Sequence, residues 1–292
     1  MTGGPDTRTP TLVARSDDRS RTARRPSGPR WGERSIRAVA SLFGLFLGLP
    51  VAVLVVRSLV DGSLAGALST KVVLDALALS LGTTAVSLGI TVALGLPLSF
   101  VLARRAFRGS GLLEAIVDLP IVLPPAVAGL GLLLVFGRRG LVGDTFGLSI
   151  PFTTLAVVLA QTFVSAPFFI RSARAGLAAV DRDLEDAARV DGASERQLFR
   201  TITVPLASAA LAGGLVMTWA RSLGEFGATI MFAGNVGGRT QTLPLVVYAE
   251  FQAGDLDSSI AAAAILVLAA FGILIAVRVF HWGRSLEARG LM

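Results

Sequence analysis

Few residues in this 292-residue chain are equipped for chemistry. It contains one histidine and no cysteine, which rules out thiol nucleophiles, disulfides and thiolate metal sites, and no metal or cofactor site is expected. No G-x-x-x-x-G-K-[ST] phosphate loop is present; the sole lysine, Lys71, follows A-L-S-T. An ATP-driven step would therefore need another chain to bind the nucleotide. What remains are charges in unusual places. Residues 185–205, EDAARVDGASERQLFRTITVP, form a charged segment between two long apolar stretches. Arg221 and Glu225 stand i, i+4 in the apolar stretch that follows. An arginine at the centre of a bilayer costs roughly 2.5–3.5 kcal/mol on translocon scales, so both charges should face protein or water. They are either a mutual structural pair or residues of a polar path. Arg138 and Arg139 are either contacts for an anion or an acidic surface, or solvated loop charges. His281, beside Trp282 at the end of the last apolar stretch, reads as an interfacial anchor.

The elements that must position these residues are membrane spans. The chain is 53% hydrophobic and only 16% charged, against roughly a quarter charged in ordinary soluble proteins. Stretches free of Asp, Glu, Lys, Arg and His cover residues 38–56, 76–103, 119–137, 145–170, 201–220 and 258–277. Each reaches the roughly 17–25 residues needed to cross a hydrocarbon core about 30 Å thick, which predicts an all-α membrane protein with six transmembrane helices. A seventh stretch, 240–249, is about half that length, carries Pro244, and reads as a re-entrant or interfacial piece. The spans are rich in Gly, Ala, Ser and Thr, which lets helices approach closely. Pro97, Pro120, Pro124, Pro125 and Pro167 interrupt them, either shaping a polar path or merely kinking the packing.

Of 27 basic residues, 21 fall in residues 1–37, 104–118, 171–200 and 278–292, which an even number of spans places on one side. The opposite side receives Arg57, Lys71, Arg138, Arg139 and Arg239. By the positive-inside rule both termini and the charged segment face the cytoplasm. The net charge of +7 thus reflects topology, and nucleic acid is not implied as a partner. Residues 1–34 have the composition of a disordered basic tail, with weak attraction to anionic lipid as the alternative role. The membrane domain then covers 35–284 and a short cytoplasmic tail 285–292.

Within the charged segment, Asp181 or Asp183 can cap a helix on which Leu184, Ala187 and Ala188 share one face, while Arg182, Glu185 and Arg189 lie elsewhere. Gly192 ends that helix, and Ala193 and Ser194 begin a second one that leads through Leu198, Phe199 and Ile202 to Pro205. Two short surface helices with a tight joint are expected. Gly192 serves either a positive φ or close contact with a partner.

This unit resembles the cytoplasmic loop of permease subunits of binding-protein-dependent ABC importers, whose pattern is E-A-A, three residues, G, nine residues, then I-x-L-P. Asp186, Ala187 and Ala188 stand for E-A-A with Glu185 just before; Gly192 follows at the matching interval, and Ile202, Val204 and Pro205 complete it. Asp for Glu and Val for Leu are mild departures. The resemblance implies that loop 181–204, with Glu185, Asp186, Ala187, Ala188, Gly192, Ala193 and Pro205, is a coupling helix that docks on an ATPase subunit. LPIVLPPAVAGLGLLLVFGRRGLVG (119–143), FVSAPFFIRSARAGL (163–177) and ARSLGEFGATIMFAGNVGGRTQTLPLVVY (220–248) are similar to molybdate permeases over about residues 38–280. GEFGA is shared with sulfate and tungstate permeases. The resemblance implies a homodimer in the cell inner membrane, two cytoplasmic ATPase subunits, an extracytoplasmic oxyanion-binding protein and alternating access. A tetrahedral oxyanion needs only hydroxyls and backbone amides to pass, with no metal or covalent step. The rival is an ion-coupled secondary transporter, for which Glu225 and Asp118 are the candidate carboxylates, but the chain shows no internal repeat.

A cysteine introduced at Ser194, in a chain with none of its own, should resist an impermeant thiol reagent in intact cells and react once the membrane is opened. Labelling from outside would reverse the orientation.

Overall fold

The computed structural model describes residues 30–105 and 107–287; for Arg30, Trp31, Glu33 and residues 276–287 it describes the backbone alone. The tail expected over residues 1–34 lies outside the described residues as far as residue 29, as do residues 288–292 and the side chain of His281. Among the described residues the first helix is seen from Arg30 and the last as far as Glu287, so residues 34 and 285, the expected tail boundaries, are helical.

The described elements are α1 (Arg30–Val60), α2 (Ser63–Ser69), α3 (Lys71–Arg104), α4 (Ser110–Val122), α5 (Pro125–Phe136), α6 (Leu141–Phe146), α7 (Thr154–Ala178), α8 (Arg182–Val190), α9 (Glu195–Leu198), a π-helical turn (Phe199–Thr203), α10 (Val204–Leu223), α11 (Gly227–Phe232), α12 (Leu243–Gln252) and α13 (Leu256–Glu287). Six stretches among the described residues are long and apolar enough to cross a membrane: Arg34–Val60, Lys71–Arg104, Pro125–Phe146, Thr154–Ala178, Glu195–Leu223 and Leu256–Ile275. The chain divides into two units, residues 1–49 and 50–292. In the first, Phe43 and Phe46 stack at 6.4 Å, and the apolar side chains of the helix are exposed all round. A helix apolar on every face suits a membrane span.

In the second unit α7 is the central helix, packed on α3 and α10. On α3, Ser80, Thr84, Ser87, Thr91, Gly95 and Ser99 are buried at helical spacing. The hydroxyls of Ser80, Thr84, Ser87 and Ser99 hydrogen-bond to other helices, where lipid supplies no hydrophobic drive for contact. Thr162 donates to Ser87 Oγ at 3.0 Å, and Ser99 donates across to the Ile170 carbonyl at 3.1 Å. Glycines set the spacing: a Cβ at Gly95 would sit 3.1 Å from Ile170 Cγ1, and one at Gly214 on α10 would sit 2.9 Å from Ser172 Cβ.

Two expected spans are redrawn. The third, 119–137, is no single helix, because the Pro124–Pro125 pair ends α4 at Val122 and starts α5 at Pro125. Proline drives the residue before it out of helical geometry, and Leu123 and Pro124 are extended here. The fourth does not start at Thr145: residues 147–153 form a loop with Gly147 at φ 65° and Phe152 at φ 61°, and Thr153 caps α7 by accepting from the Ala156 N–H at 3.2 Å. Nor does it end at Ile170. Arg171 and Arg174 continue the helix because α4 neutralises them, through Asp118 at 3.0 Å and Glu114 at 2.8 Å. The half-length stretch 240–249 becomes α12, buried against α3 and α13, with the Leu243 N–H donating to Ser80 Oγ at 2.7 Å. At about 1.5 Å per residue its ten residues reach half-way across a hydrocarbon core. On α1, Arg57 pairs with Asp61 at 3.4 Å and with Asp257 of α13 at 3.3 Å, joining two segments expected on the external side.

The PPAVAG and GEFGA runs pack on one another. A Cβ at Gly129 would lie 2.6 Å from the Ala228 carbonyl oxygen, and one at Gly227 would lie 2.8 Å from Pro125 Cβ. Gly129→Leu should therefore force α5 from α11 and lower the thermal midpoint of the purified chain, an overpacking cost of about 1–3 kcal/mol. Gly131→Leu, whose Cβ would meet no atom within 4 Å, should leave the midpoint near its original value. Equal midpoints for the two variants would contradict this packing.

Candidate functional site

The charged segment folds as a capped pair of turns. The Asp181 carboxylate accepts from the Asp183 N–H at 3.0 Å and starts α8, with Asp183 and Glu185 in the first turn and Arg189 in the last, each sign suited to the helix dipole. Gly192 ends the helix at φ 87°. Its N–H bonds to the Arg189 carbonyl and that of Ala193 to the Ala188 carbonyl, both at 3.0 Å, which is a Schellman ending. A Cβ at Gly192 would meet nothing within 4 Å, so the positive φ, and no crowding within the chain, is what demands glycine. Ser194 then caps α9 in a reciprocal box with Gln197. Arg189 spans the joint, reaching Asp186 at 2.6 Å and Glu195 at 2.7 Å. The hydrogen bonds it donates to Glu195 raise the Arg189 pKa above the ordinary arginine range, so it stays charged.

The second helix is continuous with the span it leads into. From Glu195 it runs through the π turn into α10 without interruption. In that turn the Val204 N–H reaches back five residues to the Phe199 carbonyl, and Pro205, which has no N–H to give, follows in the first turn of α10. The loop is thus continuous with span five.

Its faces are sharply divided. Leu184, Asp186 and Ala187 are exposed, Ala188 is half-buried, and Val190 is 87% exposed. Glu185 turns the other way and is only 4% exposed. Its Oε1 accepts from Arg104 Nη2 at 2.6 Å and from Thr203 Oγ1 at 2.7 Å. The sequence sets Glu185 off the Leu184, Ala187 and Ala188 face, and the resemblance counts it among the coupling residues; the helix register turns it inward, one residue before Asp186. Arg104 and Thr203 were missed altogether. The only local signal was that Arg104 ends the charge-free stretch 76–103.

Arg221 and Glu225 meet at 2.6 Å, but not along one helix. α10 stops at Leu223, and Glu225 lies in the following turn with its carboxylate 1% exposed. Its Oε1 also accepts from the Ala228 N–H at 2.7 Å, tying α10 to the start of α11. Asp118, the other candidate carboxylate, is paired with Arg171. Arg138 and Arg139 are exposed in the turn between α5 and α6 and make no ion pair with the described residues.

Residues 95–284 match the model of the family described as the inner membrane component of binding-protein-dependent transport systems. The chain belongs to that family. This inner membrane component is 40% identical over 253 residues to the molybdenum transport system permease protein ModB of Mycobacterium bovis, covering 85% of this chain and 93% of that one. Against ModB of Escherichia coli K12 the identity is 39% over 199 residues, 67% of this chain and 87% of the relative. A probable molybdenum ABC transporter permease of Haloferax volcanii is 37% identical over 239 residues, 82% and 87% of the two chains. Among solved structures, a bacterial ABC transporter that imports alginate matches with a TM-score of 0.65 at 16% identity, over 86% of this chain and 98% of that one. The MetNI methionine ABC transporter in inward-facing form matches with a TM-score of 0.55 at 22% identity, over 72% and 94%. The inner membrane component is thus an all-α, multi-pass membrane protein with the fold of ABC importer permeases.

Glu225→Gln keeps an acceptor for the Ala228 N–H but removes the charge facing Arg221. Since breaking a buried pair costs about 3–5 kcal/mol and Arg221 is partly exposed, a loss at the low end of that range is expected in thermal unfolding. The double variant Arg221→Met/Glu225→Gln should recover part of it. A double variant that folds normally yet transports no better than the worse single one would give the pair a role in the anion path.

Proposed function

We propose that this chain is the membrane-spanning permease of an ATP-driven importer that carries a tetrahedral oxyanion, molybdate, into the cytoplasm by alternating access. The observation that carries the reading is the 40% identity across 93% of a relative named as a molybdenum transport permease. Two copies of the chain work with two cytoplasmic ATPase subunits, which hydrolyse the ATP, and with an external oxyanion-binding protein. Both termini and loop 181–204 face the cytoplasm. Asp186, Ala187, Ala188, Gly192, Ala193 and Pro205 are the coupling residues, and the exposed apolar side chains Leu184 and Val190 support an outward docking face.

The hydroxyls of α3 support a path between two copies and not through one. Ser80, Thr84, Ser87 and Ser99 have no exposed surface and are occupied in helix contacts. The pairing of both Asp118 and Glu225 with arginines also speaks against an ion-coupled carrier, which needs carboxylates available to a coupling ion. Arg138 and Arg139 remain available on the external side to an anion or to an acidic face of the binding protein.

The test is purification of the tagged chain from its own host with its partners, followed by elemental analysis of the binding protein. ATPase subunits and molybdenum are the expected result; tungsten or sulfur would change the substrate within the same class, and no ATPase would overturn the importer reading. In the same preparation Ala188→Arg and Gly192→Val should leave the permease in the membrane but cut uptake by at least about tenfold, within the range usual for a lost coupling. Arg196→Gln should change little.

A further inference from the structure

Arg104 closes α3, outside the docking loop, yet its guanidinium holds the loop from behind. Nη2 lies 2.6 Å from Glu185 Oε1, and Nη1 donates to the Val180 carbonyl at 3.3 Å. The same carboxylate oxygen accepts from Thr203 Oγ1 in the π turn. One guanidinium–carboxylate pair thereby joins span two, the exit from span four, α8 and the entry to span five. One turn earlier on α3, Phe100 meets Phe199 of the π turn edge to face at 5.3 Å. The Arg104 and Glu185 side chains are 9% and 6% exposed, so solvent screens the pair little, and short charge-assisted bonds of this kind are stiff. The outward residues Asp186 and Ala187 make none of these contacts.

We infer that Arg104 is the positioning residue of the coupling step: through Glu185 it fixes α8 to α3, so that a displacement of α8 moves spans two and five together. Glu185 is then an internal strut and not an ATPase contact. This rests on the importer reading above. The π turn is the part that needs pinning. A π turn holds one residue more than the α-helical turn it replaces, so it is a place where span five can yield, and the Thr203 hydroxyl ties its last residue to the strut. Without the strut, α8 can be pushed while the π turn absorbs the push.

The decisive experiment uses the complete complex in proteoliposomes, with ATPase content, ATP hydrolysis and uptake of radiolabelled molybdate measured together. Arg104→Met and Glu185→Gln should retain ATPase subunits within about twofold of the unaltered complex while uptake per ATP falls at least about tenfold. Arg104→Lys should restore part of the ratio. An outward change, Ala187→Arg, should instead release the ATPase. Loss of the ATPase subunits from Glu185→Gln, or an unchanged ratio in both single variants, overturns the proposal. A second measurement needs no partner: with spin labels at Leu94→Cys and Asp183→Cys in the otherwise cysteine-free chain, Arg104→Met should broaden a narrow distance distribution, and an unchanged width overturns the strut. Failure of the importer reading would appear separately, as an unaltered chain that brings no ATPase and no uptake, with the spin-label result still deciding whether the strut exists.

Discussion

The close approach of α7 to its neighbours is the constraint on which the bundle depends. Lipid supplies no hydrophobic drive between helices, so contact must come from dispersion at short range and from hydrogen bonds. Glycine and serine provide both here. Gly95 receives the Phe169 and Ile170 side chains, Gly214 receives Ser172, and Gly176 lies against Ala210. Ser172 adds a 2.7 Å bond to the Ala210 carbonyl, and Ser99 one to Ile170. Side chains of ordinary size at these places would separate α3, α7 and α10, and with them the loop that connects α7 to α10.

Charge is organised around this core at the two ends. On the side predicted to be cytoplasmic, Arg171, Arg174 and Arg104 each find a carboxylate on a different element. On the other side, Arg57 joins α1 to α13, and the Asp255 carboxylate caps α13 by accepting from the Ser258 N–H and hydroxyl. Those bonds, the backbone one first, hold the Asp255 pKa below the ordinary carboxylate range. Apolar middle and paired ends follow from the same rule, that a charge near lipid must meet its opposite or water.

Much of this was legible in order along the chain. Charge-free length gave six spans, and the turn chemistry of Asp181, Gly192 and Ser194 gave the helix ends of the charged segment, because caps are local. What escaped was what depends on distant partners. Nothing near Glu185 announces that it faces inward, since Arg104 is 81 positions away. Counting uncharged residues ended span four at Ile170, whereas α4 supplies the carboxylates that let it continue. It also began that span too early, because a charge-free run does not register the turns at Gly147 and Phe152. Pro205, expected at the mouth of span five, does lie in the first turn of α10, where proline is tolerated, but the π turn just before it has no signal in the sequence.

The capped, bridged form of residues 181–198 also bears on thermodynamics. With Asp181 and Ser194 closing the helix starts, a Schellman ending between them and Arg189 clasping both sides, the segment is ordered before any partner arrives. A floppy loop would lose on the order of 1–2 kcal/mol of backbone freedom per residue when held by a partner. This one has already surrendered that freedom in folding, so contact energy gained at its surface would not be consumed in ordering it.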